Sequence, residues 1–244
     1  MFYFTIKPGD TIYELAEQYN LPVSSILSFN PGISTNNLIP GQQILIPIGL
    51  INPAQYKPGG ITSSISLNEL NLRNTMRRLW EEHIAWTRMA ILSAASDSPD
   101  FSSVTERLLR NPKDMAEAIR PLYGEANAST FDRLMTEHLK IASQLVGAAK
   151  EGNTQAAQNY EKQWYANADR IADFLSMVNP YINRDEMKNM LYSHLALTKQ
   201  EAAERLNKNY AMDIALFDQI QEQALSMADF ISGGIVKQFP DLFR

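Results

Sequence analysis

The chain has 244 residues, of which 45% are apolar and 20% charged, and a formal net charge of −5. That composition excludes a disordered chain, and the acidic balance argues against a nucleic-acid binder, which needs a basic surplus to meet phosphates. Cysteine is absent, so disulfides, thiolate metal ligands and a Cys nucleophile are excluded, and no apolar run approaches the roughly 18–20 residues of a membrane span. The opening segment MFYFTIKPGD has neither a basic n-region nor a long apolar stretch, so no signal peptide is expected.

The chain-breaking residues are unevenly spread. Residues 1–60 hold seven of the 12 Pro and six of the 11 Gly, whereas all three His and all three Trp lie beyond them. Two kinds of domain are therefore expected: a small α+β unit over 1–50 and an all-helical unit over 67–240. A Pro/Gly/Ser-rich linker over 51–66 joins them, and a short tail covers 241–244.

In the first unit, Phe4-Thr5-Ile6 alternates like a strand. Asp10 or Thr11 can cap a helix that carries Ile12, Leu15, Ala16 and Tyr19 at helical spacing. Val23 to Phe29 reads as a second short helix, ended by Asn30-Pro31-Gly32. Gln43 to Pro47 closes the unit as a strand, giving the order βααβ.

The K-P-G-D-T turn, the I-x-x-L-A helix, the F-N-P turn and the closing I-P-G-Q-x-I-x-I-P resemble a LysM module along its whole length. That resemblance implies binding of N-acetylglucosamine-containing glycans, namely peptidoglycan or chitin-type polymers. It places a shallow groove between two loops, Gly9, Asp10, Thr11 and Ile12 on one side and Asn30, Pro31, Gly32 and Ile33 on the other. Backbone groups of these turns would pair with N-acetyl and hydroxyl groups, and Ile12 and Ile33 would pack on the sugar face. The same Gly, Pro and Asn residues are also ordinary turn formers.

From Leu67 the apolar period becomes helical. Six stripes follow, separated by Pro99, Pro121 to Gly124, Glu151 to Asn153, Asn179-Pro180 and Asn207 to Asn209. They predict an all-α bundle of about six helices in three consecutive hairpins. His83, His138 and His194 recur in the first helix of each hairpin, each on its apolar stripe. The second helices place Asn111, Asn167 and Asp213 on theirs, at separations of 28, 29 and 19 residues from the preceding His. The third separation breaks the repeat, and the likeness of Tyr165-Ala-Asn-Ala-Asp169 to Tyr210-Ala-Met-Asp213 leaves its register open.

Buried imidazoles and carboxylates are costly unless paired. Their recurrence allows two readings. In one, the polar residues converge on a divalent, zinc-like metal, with Glu82 or Glu137 as a catalytic base for a peptidoglycan hydrolase, amidase or peptidase. In the other, each His bonds a partner within its own hairpin and fixes helix register. No known metal-binding spacing is present. Residues 72–240 also resemble an uncharacterised family of all-helical bacterial proteins, through segments such as WEEHIAWTR and EHLKIASQLVGAAKEGN, which implies one helical unit and no chemistry. The expected protein is a wall-binding one with a helical domain of unassigned activity, sited at the cell wall or spore surface or, alternatively, in the cytoplasm.

Overall fold

The computed structural model describes residues 2–19, 21–35, 38–47 and 65–244. Apart from residues 65 and 66, the expected linker lies outside the described residues. The chain divides into two compact units, 1–64 and 65–244.

In the first unit β1 (Phe2–Thr5) pairs antiparallel with β2 (Gln43–Ile46), with Phe4 opposite Ile44. Between them lie α1 (Ile12–Gln18) and α2 (Val23–Ser28). Helix α1 begins with a capping box. The Glu14 amide donates to Thr11 Oγ1 at 3.1 Å, and the Thr11 amide donates to the Glu14 carboxylate at 3.2 Å. Two otherwise orphaned N–H groups are thereby satisfied. Ile6, Ile12, Leu15, Ile26, Ile44 and Ile46 form the core.

The second unit is helical throughout: α3 (Leu67–Ala95), α4 (Phe101–Lys150), α5 (Thr154–Val178), α6 (Arg184–Leu206) and α7 (Tyr210–Gln238), then a 3-10 turn at Pro240–Leu242. Ser66, Asn153 and Asn183 cap α3, α5 and α6 through their side chains. Helix α4 is two helices joined by a kink at Gly124, whose φ of 77° and ψ of 171° leave the helical region. A side chain there would be strained, so glycine lets one long element act as two arms. Counting those arms, six rods form three hairpins. Both prolines that precede the break, Pro112 and Pro121, are accommodated within α4. Helix α4 packs on α3 and α5, α6 on α7, and α7 returns against α3. A single core runs through them, from Leu79 and Trp80 to Leu195, Met227 and Ile235. No described helix is long and apolar enough to cross a membrane.

Candidate functional site

The two loops of the first unit are built differently from one another. Gly9 and Gly32 both have φ of 94°, the left-handed conformation that glycine supplies without strain. The Asp10 carboxylate accepts the Lys7 amide at 2.7 Å, which closes the first turn. Thr11 is committed to the helix cap. On the other side, Asn30 is buried. Its Nδ2 donates to the carbonyls of Ile26 and Leu45 at 2.7 and 2.8 Å, and its Oδ1 accepts the Leu45 amide at 2.7 Å. Asn30 therefore fastens α2 to β2, and its side chain is fully engaged inside the fold.

Ile12 also departs from expectation. Its exposure is 0%, because the first turn of α1 points it into the core, so its side chain cannot lie on a sugar face. Ile33 is half-buried and packs on the same core. The surface left beside the loops is Gly9, Thr11, Pro31 and Gly32, with Tyr13 and Phe29 flanking it at 63% and 39% exposure. Those two aromatics were not singled out from the sequence. Their signal was an exposed ring one residue outside each loop, of the kind that can cover a sugar's apolar face.

In the helical unit the three histidines do come together. The ring centroids of His83 and His194 lie 5.8 Å apart, and those of His83 and His138 lie 6.5 Å apart. Each imidazole is anchored within its own hairpin. His83 Nδ1 meets Asn111 Oδ1 at 3.3 Å, His138 Nδ1 meets Asn167 Oδ1 at 2.8 Å, and His194 Nδ1 meets Gln223 Oε1 at 3.0 Å. Each carboxamide nitrogen then donates to the carbonyl four residues before its histidine, at Leu79, Leu134 and Met190. That second bond fixes the orientation of each amide, so the oxygen faces the ring and Nδ1 carries the proton. The free lone pair is on Nε2, and at His138 it accepts from Trp164 Nε1 at 3.1 Å.

The third partner is thus Gln223, 29 residues after His194, and not Asp213. Asp213 is buried in a different network. Its carboxylate accepts from Arg88 at 2.6 Å and from Arg205 at 3.4 Å, and Arg88 also pairs with buried Glu201. Polarity on an apolar stripe pointed to Asp213, whereas constant spacing from the histidine would have pointed to Gln223.

Burial governs the electrostatics. Desolvation lowers His83 to about 4 against the pull of Asn111. Desolvation, helped by the neighbouring histidines, lowers His138 and His194 to about 3. All three are neutral at physiological pH. Burial pushes Glu201 up to about 7, partly offset by Arg88. Glu82 is half-buried, and burial pushes its pKa upward, but hydrogen bonds from Arg107 and Arg78 outweigh that and hold it below the usual carboxylate range. Glu137 pairs with Arg170 at 2.5 Å. Both glutamates are therefore ion-paired. Among the described residues, no group of three or more His, Asp or Glu side chains is placed to hold a metal ion.

Residues 4–47 match the LysM domain family, so the first unit is a LysM domain, which supports binding of GlcNAc-containing glycans such as peptidoglycan. No support arises for the further resemblance over residues 72–240. No curated protein and no solved structure matches the chain.

Proposed function

We propose that the protein attaches to a bacterial cell wall or spore surface through its LysM domain, and that the helical unit acts there as a binding or structural module. The observation that carries this is the LysM match itself, together with the glycine turns at Gly9 and Gly32 that lie beside exposed Tyr13 and Phe29. A ring on the apolar face of a sugar, with backbone groups on its N-acetyl and hydroxyl substituents, suits a shallow polysaccharide site. The role of the helical unit rests on its histidines. Each is tied to a partner in its own hairpin, which accounts for their burial without a reaction.

The test is retention on insoluble peptidoglycan. The full chain is expected to pellet with the polymer and to be released by soluble GlcNAc oligomers. A chain lacking residues 1–47 should stay in solution. Equal retention of that truncated chain would overturn the assignment of binding to the LysM domain. Tyr13→Ala combined with Phe29→Ala should weaken retention without unfolding the domain, because neither ring belongs to its buried core cluster.

A further inference from the structure

Helix α7 packs its inner face on α3 and α6. Asp213, Leu216, Ile220, Ala224 and Met227 recur there at helical spacing and are buried. Away from that seam, the first two turns are apolar on the outside as well. Tyr210, Met212 and Ile214 are 49%, 44% and 56% exposed and fall within five residues, with exposed Ala211 and Ala215 between and beside them. A contiguous exposed apolar patch of this kind marks an interaction surface.

Charge selects what covers it. Ala211, Ala215, Asp218 and Glu222 follow one line along the outer face, at steps of four, three and four residues. Lys208 stands just before the helix. Lys208, Asp218 and Glu222 are all exposed, and none has an ion-pair partner among the described residues. Lys208 and Glu222 are also equally far from Ala215, seven residues to either side. A second copy laid antiparallel, with Ala215 beside its counterpart at the two-fold axis, brings Lys208 of each copy level with Glu222 of the other. Lys208 lies outside the helix, and its long flexible stem spans the remaining offset. A parallel pairing would instead set like charges face to face. In the antiparallel register Ile214 lies over the short Ala215 side chain of the other copy, which lets the helices approach closely.

We propose that the outer face of α7 is an isologous interface at which two copies of this chain pair antiparallel, with Lys208 of each against Glu222 of the other. A helix stretch of this length is about 20 Å long and 10 Å wide. That is well under the roughly 1,200 Å² of total surface buried in a stable complex, so the pairing is reversible and concentration-dependent. The interface belongs to the helical unit and stands whether or not the LysM domain grips a glycan. Its consequence for wall attachment is avidity, because a dimer brings two LysM domains to one polymer without any new contact.

The experiment is sedimentation velocity of the full chain from low to high micromolar concentration, at low ionic strength, where exposed charge pairs count most. A monomer–dimer equilibrium is expected. Lys208→Glu and Glu222→Lys should each weaken the dimer about five- to tenfold, since two symmetric ion pairs are lost. An equimolar mixture of these two variants should regain native association, because each supplies the charge that the other lacks. Ala215→Glu sets two carboxylates together at the axis and should abolish association, with circular dichroism confirming the helices. A native chain that stays monomeric throughout would overturn the proposal. So would a mixture that associates no better than the single variants, or a folded Ala215→Glu variant that associates like the native chain.

Discussion

Acidification should weaken the helical unit, and the buried groups set by how much. An imidazole in the unfolded chain titrates near 6.5, whereas in the fold His83 titrates at about 4 and His138 and His194 at about 3. Because the folded values are depressed, these groups contribute stability that is fully present above 6.5. That stability is lost progressively as the pH falls from 6.5 to the folded values. Between about pH 7 and pH 5, each imidazole removes about 2 kcal/mol, or about 6 kcal/mol for the three. Glu201 acts with the opposite sign. Its folded value of about 7 lies above the unfolded 4.5, so its contribution is present at low pH and lost as the pH rises through 7. Over the same interval, acidification returns about 2 kcal/mol from Glu201.

The net expectation is a loss of about 4 kcal/mol in the native chain and about 6 kcal/mol in Glu201→Gln, which no longer titrates there. Urea unfolding followed by helical circular dichroism at both pH values measures each slope. The LysM match contains no histidine, so the effect belongs to the helical unit. A native chain and a Glu201→Gln variant with identical pH dependence, or a variant whose stability does not fall on acidification, would refute the reasoning.

Three further outcomes follow from the packing. Asn111→Leu should cost about 1–3 kcal/mol by leaving the buried His83 donor unpaired, whereas the double variant His83→Leu/Asn111→Leu should recover most of that loss in a urea double-mutant cycle. Asn30→Ala strips three hydrogen bonds from the small LysM core, so the amide dispersion of residues 4–47 in NMR should collapse and glycan retention should vanish, while the helical melt is unchanged. Neighbouring glycines in α7 should respond with opposite sign in thermal melts. Gly233→Ala has open space around the new methyl and should gain about 0.5–1 kcal/mol, whereas Gly234→Ala would put Cβ 2.8 Å from buried Ile182 Cγ1 and should lose about 1–3 kcal/mol.

Much of the architecture was legible because it is written in local chemistry. The Thr11 cap, the glycine turns at Gly9 and Gly32, and the apolar period of the helical unit are each decided within a few residues. What the sequence hid depends on which way a side chain faces. Ile12 lies in the loop whose resemblance implies a groove, yet the geometry of the first helical turn aims it inward. Asn30 reads as a turn residue, yet its amide is spent on Leu45, 15 positions away. Asp213 and Gln223 compete for one role on a single helix. Only the packing of α7 against α3 and α6 shows that Asp213 serves Arg88 while Gln223 reaches His194.

The repeat of His, carboxamide and carbonyl three times within one chain bears on why such costly groups are kept in the core. A polar pair buried in an apolar seam adds little stability over a well-packed hydrophobic pair. Its effect is on alternatives. Each carboxamide must meet a ring across the hairpin and a carbonyl one turn below it, so sliding either helix by one turn leaves a buried donor and acceptor unsatisfied. Three hairpins built from similar Ala-, Leu- and Met-rich stripes have many near-equivalent ways to pack, and a stripe of apolar residues alone discriminates poorly among them. The substitution of Gln223 for an asparagine in the third hairpin fits this role. The longer side chain still makes both contacts, at 3.0 and 2.8 Å, so the geometry is kept while the residue type changes.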